Sequence, residues 1–209
     1  MPFSYDWFSG NISNWSRILE PMKGLNDMLF LEIGCFEGRA TVWLLENILT
    51  GKNSRIICVD TFEGSEEHKV LAPVDFKNTE QVFRENIDPW FKQDRVFISK
   101  MSSQDFLHFV ARPIAAMAYH SVHDCKFDHG AFNFIYIDGS HHAADVLADA
   151  VLSWRLLKRG GIMIFDDYMW DAYKEPEKNP RLAIDSFLSV YLGQYKILLK
   201  EYQVAIQKI

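Results

Sequence analysis

Long apolar runs are missing from this chain of 209 residues. Its longest hydrophobic stretches fall far short of the ~20 residues that a membrane-spanning helix requires, so no membrane partner is expected. Cysteine is scarce, with only Cys35, Cys58 and Cys125. An odd count without close pairing argues against a disulfide framework. Cys35 and Cys58 fall in apolar, strand-like stretches, where a free thiol behaves as a small buried hydrophobe. Positive charge is also short: 22 Lys and Arg stand against 28 Asp and Glu, a net charge of −6. No basic run or basic helix overrides that balance, and a negative overall field repels phosphate backbones. Nucleic acid is therefore not expected as substrate. Met1 to Gly10 carries acidic and aromatic residues where a secretory signal would place a basic region and then an apolar one. These absences together lead to the expectation of a soluble, cytoplasmic protein.

What is present is ordinary in amount and ordered in pattern. Hydrophobic residues make up 48% and charged residues 24%, as in average globular domains. The length suits a single domain over 1–209, with 1–27 as an N-terminal helical extension or lid. Seven short apolar runs are predicted as strands: Met28 to Ile33, Arg55 to Val59, Arg95 to Ser99, Phe132 to Ile137, Ile162 to Phe165, Tyr195 to Leu199 and Gln203 to Ile209. Helical spacing appears over Arg39 to Leu49, Thr79 to Phe91, Ser103 to Ala111, Ala143 to Leu157 and Arg181 to Val190. Lys158 to Gly161, two basic residues and then two glycines, should end the fourth of these helices. Continuous apolar strands alternating with helices indicate an α/β fold, a Rossmann-like, doubly wound and mostly parallel seven-stranded sheet with helices on both faces. Gly64 to Phe76 and Pro113 to Gly130 fit no period and are expected to be loops over the sheet.

In such a sheet, ligands bind outside the carboxyl ends of the strands, near the topological switch. The first strand leads into Glu32-Ile33-Gly34-Cys35-Phe36-Glu37-Gly38, an acidic residue followed by a glycine turn. The G-x-G-x-x-G arrangement of dinucleotide sites is absent, which disfavours a nucleotide-dependent oxidoreductase. The second strand ends in Asp60, whose carboxylate can accept hydrogen bonds from the hydroxyls of a ribose. A glycine turn and a second-strand carboxylate together suggest a nucleoside ligand without a pyrophosphate, such as S-adenosylmethionine.

The segment LEIGCFEGRATVWLL followed by IICVDTFEG resembles motifs I and II of class I S-adenosylmethionine-dependent methyltransferases. The later FIYIDGSHHAADVLADAVLSWRLLKRGGIMIFDDY is similar to the sugar O-methyltransferases that act on macrolide and aminocoumarin sugars. The resemblance runs from Met28 to Tyr168. It implies that Glu32, Gly34 and Gly38 line the methionine and ribose side of the cofactor and that Asp60 holds the ribose. It also implies that Ser103 and Gln104 lie near the adenine.

Three carboxylates, Asp138, Asp166 and Asp167, fall at the ends of strands expected to be neighbours. Gathered in one cleft they repel one another unless a cation neutralises them, and hard oxygen ligands suit Mg²⁺ or a similar divalent ion. The resembled enzymes hold a divalent metal with acidic residues at these strand ends. His141, three residues after Asp138, is the candidate general base for a substrate hydroxyl, with Asp138 beside it in the catalytic set. Helix capping, or support of the residues that touch the substrate, is an equally open role for His141. The spacings of His120, His123, His129 and Cys125 match no zinc pattern.

These residues lead to the expectation of a methyltransferase acting on a hydroxyl of a small molecule, a sugar or polyphenol, with Mg²⁺ assistance. The protein could also form a homo-oligomer. Two alternatives remain open: a metal-free methyltransferase on another acceptor, and a cofactor-binding protein without transferase activity. Acceptor recognition is expected from Gly64 to Phe76, Pro113 to Gly130 and the chain after Tyr168. Tyr168, Trp170 and Tyr173 are the candidate acceptor contacts, with core packing as the other reading.

Overall fold

The computed structural model describes residues 3–65, 76–111 and 130–209. Most of the two segments expected to be loops, and the histidines and cysteine of the rejected zinc pattern, lie outside the described residues. The strands are β1 (Leu29–Ile33), β2 (Arg55–Asp60), β3 (Val96–Lys100), β4 (Phe132–Ile137), β5 (Leu157–Phe165), β6 (Tyr195–Lys200) and β7 (Val204–Lys208). They form one seven-stranded sheet in the order β3-β2-β1-β4-β5-β7-β6. The β1–β2, β1–β4, β2–β3 and β4–β5 pairs are parallel, and β7 pairs antiparallel with both β5 and β6. The expected Rossmann-like sheet is therefore present. The order reverses at β1, which has β2 on one side and β4 on the other, and this switch point opens the crevice in which such sheets bind ligands.

Successive residues of a strand point to opposite faces, so strands covered on both sides need apolar residues throughout. On one face Leu31, Ile33, Ile57, Ile135, Ile137 and Phe165 are buried under three helices: α4 (Ser103–Val110), α5 (Ala143–Leu156) and α6 (Pro180–Val190). On the other, Phe30, Ile56, Cys58, Phe134, Ile162 and Ile164 pack beneath α1 (Ile12–Leu19), α2 (Arg39–Asn47) and α3 (Thr79–Phe91). The helix α1 lies within the segment 1–27, and its Trp15 is fully buried. Trp15 meets Phe134 and Tyr136 of β4 edge-on, with ring centroids 5.6 and 4.7 Å apart. That part of the N-terminal segment is core. Cys35 and Cys58 are free and buried. Among the described residues, no helix is long and apolar enough to cross a membrane.

One expectation is corrected. Lys158 to Gly161 does not end a helix. The helix α5 stops at Leu156, and these residues lie within β5. The strand absorbs them through an irregularity in its pairing with β4, where the register shifts between Phe132 and Phe134. Gly160 has φ +77°, and a Cβ on Gly161 would sit 2.9 Å from the Lys158 carbonyl oxygen. The glycines thus serve a bulge, and the chain passes from helix to strand with no separate loop.

Candidate active site

The carboxyl ends of β1, β2, β4 and β5 border a cleft of about 1160 Å³. Every residue expected to bind cofactor except Gly38 lines it: Glu32, Gly34, Asp60, Ser103 and Gln104. Gly34 leaves β1 with φ +80°, and a Cβ there would fall 1.9 Å from the Asp138 carbonyl oxygen. The glycine is thus required because the β1 and β4 ends pass in contact, which holds the glycine turn against the acidic cluster. Gly38 starts α2 with φ +83°, over the Phe83 ring.

Asp60 binds this turn directly. Its Oδ2 accepts the Cys35 and Phe36 amides at 2.7 and 2.9 Å, and its Oδ1 accepts the Phe62 amide at 2.7 Å. A carboxylate oxygen has two lone pairs, so Oδ1 keeps one for a ligand hydroxyl. Asp60 therefore shapes the turn as well as facing the cleft. Glu32 is buried, accepts the Thr41 hydroxyl at 2.6 Å, and has its carboxyl pushed up to about 8 by burial. Across the cleft, Gln104 donates to Asp145 at 3.1 Å. Ser103 hydrogen-bonds the buried Asp149, whose carboxyl burial raises to about 7. The capping serine of α4 is Ser102, whose hydroxyl accepts the Asp105 amide at 3.1 Å.

At the β4 and β5 ends, Asp138, His141 and Asp167 come together. One ligand atom from each lies within 4.8 Å of the others. His141 Nε2 is 2.6 Å from Asp167 Oδ2. Asp167 adopts φ +58°, a left-handed conformation costly for a residue with a side chain and concentrated at functional sites.

Asp166 is not part of this group. Its Oδ1 accepts the Asp167 amide at 2.8 Å, and its Oδ2 accepts Gln203 Nε2 at 2.9 Å and the Tyr136 hydroxyl. That hydroxyl also lies 2.8 Å from Asp138 Oδ2. Gln203 in turn accepts the Trp15 indole N–H at 2.7 Å, and the Tyr202 hydroxyl donates to Asp167 at 2.9 Å. Burial, then the neighbouring Asp166 and Asp167 charges, push the Asp138 carboxyl well up. Burial and Asp167 raise Asp166 to about 6.

Of the three aspartates expected to hold a metal, the structure thus brings Asp138 and Asp167 together with His141. Asp166, although it also borders the cleft, commits its carboxylate to a buried network reaching α1. Tyr136, Tyr202, Gln203 and Trp15 belong to that network and were not singled out from the sequence for it. Tyr136 carried a usable signal, because residues two apart on a strand share a face and it precedes Asp138 by two. Trp15, Tyr202 and Gln203 arrive from distant segments, and no local pattern marks them.

A sequence family described as a methyltransferase domain matches residues 31–168, more than half of the chain. The chain belongs to this methyltransferase family. No curated protein matches it. Solved structures share its fold at low identity. An O-methyltransferase from Bacillus cereus in complex with S-adenosylhomocysteine (SAH) has a TM-score of 0.63 and 17% identity, over 99% of this chain and 84% of that one. Cofactor-bound Rv0187 from MTB has a TM-score of 0.60 and 14% identity, over 100% and 83% of the two chains. The MycE methyltransferase of the mycinamycin pathway, in complex with Mg, SAH and mycinamycin VI, has a TM-score of 0.60 and 13% identity; this chain spans 50% of its length. At such identities the likeness establishes the fold, that of class I S-adenosylmethionine-dependent methyltransferases. This methyltransferase carries its glycine turn and its acidic group at the positions where that fold opens its crevice.

Proposed function

We propose that this methyltransferase transfers the methyl group of S-adenosylmethionine to a hydroxyl of a small molecule. The observation that carries the reading is the juxtaposition of His141 and Asp167 with Asp138, one peptide contact away from Gly34. Cofactor along the glycine turn and acceptor at the acidic group would then meet at the switch point. The His141–Asp167 pair takes the acceptor's hydroxyl proton as the oxygen attacks the methyl carbon and the carbon–sulfur bond breaks. Asp167 orients the ring and stabilises the imidazolium that results. Methyl transfer from a sulfonium removes charge, so alignment of oxygen, carbon and sulfur is the main task of the site. The complex of MycE with Mg, SAH and mycinamycin VI is consistent with this reading.

The donor set fits a divalent cation. The carboxylates of Asp138 and Asp167 are hard oxygen donors of the kind Mg²⁺ or Mn²⁺ takes, and their mutual repulsion favours such an ion. Asp138 and Asp167 would hold it, and the ion would make the acceptor hydroxyl more acidic. A specific observation supports the metal-free alternative. The Tyr136 hydroxyl bridges Asp138 and Asp166, and burial favours protonated carboxyls there. Methyl transfer to a panel of hydroxylated acceptors, assayed with EDTA and then with added Mg²⁺ or Mn²⁺, separates the two. Loss on chelation and recovery with the ion supports the metal. Turnover indifferent to EDTA leaves the proton-bridged cluster.

A further inference from the structure

The cleft has an aromatic face beside the glycine turn. Tyr5 and Trp7 stack on one another with centroids 4.9 Å apart, and Trp7 sits 4.9 Å from Phe36 of the glycine turn. All three line the cleft. Tyr5 is 42% exposed and Trp7 53%, so part of each ring is accessible from the cleft. The strand of chain that carries them is pinned in place. The Ser4 amide donates to Glu37 at 2.6 Å, and Arg39 pairs with Asp6 at 2.9 Å and bonds Ser9 at 2.8 Å. The next residue, Phe8, is buried 4.9 Å from Trp15, which meets Tyr136 beside Asp138. This segment therefore runs from the buttress of the acidic group to the glycine turn, along one wall of the cleft.

We propose that Tyr5, Trp7 and Phe36 form the acceptor-binding face, and that it takes a flat, uncharged, hydroxylated molecule rather than an anionic one. The inference rests on the methyltransferase reading. Size supports it, because a cleft of about 1160 Å³ exceeds the ~300–1,000 Å³ of single-ligand sites and leaves room beside the cofactor. Ring faces supply apolar contact with little directional demand, which selects planar partners. Charge supplies the rest. Even with Glu32, Asp138 and Asp166 holding protons, Asp60, Asp145 and Asp167 among the described lining residues face only one arginine. That arginine, Arg39, is already paired with Asp6. A carboxylated acceptor, or a thioester carrying nucleotide phosphates, would enter against this field.

The test is calorimetry on the whole chain saturated with SAH and Mg²⁺, titrated with 2,3-dihydroxynaphthalene, catechol and 3,4-dihydroxybenzoate. SAH affinity is measured separately. The proposal expects dihydroxynaphthalene to bind most tightly and the benzoate at least about tenfold more weakly than catechol. The Tyr5→Ala/Trp7→Ala double variant should bind dihydroxynaphthalene about tenfold more weakly, the loss expected for two ring contacts, with SAH affinity changed less than about twofold. Both residues are exposed, so folding is not at stake. Unchanged dihydroxynaphthalene affinity in the variant, or an equal preference for the benzoate, overturns the proposal. Loss of SAH affinity in step with the diol overturns it too, by making the segment a cofactor lid. Wild-type protein that binds SAH but none of the diols refutes the acceptor face alone, whereas failure to bind SAH refutes the methyltransferase reading beneath it.

Discussion

Replacing Glu32 by glutamine should make this protein more stable, and by an amount that grows with pH. Glu32 is 1% exposed at the end of β1, and its one short partner is the Thr41 hydroxyl at 2.6 Å. Burial moves its carboxyl from 4.5 to about 8. A folded-state value above the unfolded one means that the folded chain holds the proton more tightly. The stability contributed is intact below pH 4.5 and is lost as pH rises toward 8. Each pH step of one across that window costs about 1.4 kcal/mol, which sets an upper bound near 4–5 kcal/mol. Glutamine keeps the acceptor oxygen for Thr41 and the same volume but does not titrate. For a chain of this size a kcal/mol is worth roughly 2–4 °C. Glu32→Gln should therefore raise Tm by roughly 5–10 °C at pH 8.5 and by less than about 2 °C at pH 5. Thermal melts of both proteins across pH 5–9 provide the assay. A gap that is constant with pH, or that closes as pH rises, would refute the reasoning. Because Glu32 also lines the cofactor cleft, the same variant should bind SAH more weakly.

Two further outcomes follow from the acidic group. Tyr136→Phe removes the hydroxyl shared by Asp138 and Asp166 and should cost about 2 kcal/mol, the scale of a hydrogen bond to a charged group. Melts at pH 7 should show Tm lower by roughly 5 °C, and an unchanged Tm would mean that the bridge is not formed. His141→Ala removes the proposed base. Single-turnover assays should show methyl transfer slowed by about 10²–10⁴-fold, while SAH affinity stays within about twofold of wild type; a rate within threefold of wild type would show that His141 is not the base.

Much of the fold was legible because burial on two faces forces strands such as RIICV and FNFIYI to be apolar throughout, a pattern with no helical counterpart at that length. The reversal at β1 and the ligand edge followed from the glycine turn and the carboxylate that ends β2. The passage from α5 to β5 misled for a physical reason. Two glycines after two basic residues satisfy the rules for a helix end, and only the pairing with β4 reveals a bulge. In the site, Asp138, His141 and Asp167 were nameable because local strand ends bring them together. Asp166 and Asp167 could not be told apart, since only the folded backbone shows which carboxylate meets His141. Trp15 and Gln203, 188 residues apart, meet only through the tertiary fold. The aromatic face of Tyr5 and Trp7 was equally hidden, because nothing in their surroundings distinguishes a cleft wall from core packing.

The most direct test of the account is calorimetric titration of the wild-type protein and Asp60→Asn with SAH, with NADH as the competing nucleoside cofactor. Asp60 accepts the Cys35 and Phe36 amides and faces the cleft, so the variant disturbs both the turn and the ribose contact. The account predicts micromolar binding of SAH to wild type, at least about tenfold weaker binding to Asp60→Asn, and no binding of NADH. Wild-type protein that binds NADH and not SAH, or SAH affinity untouched by the substitution, would contradict it.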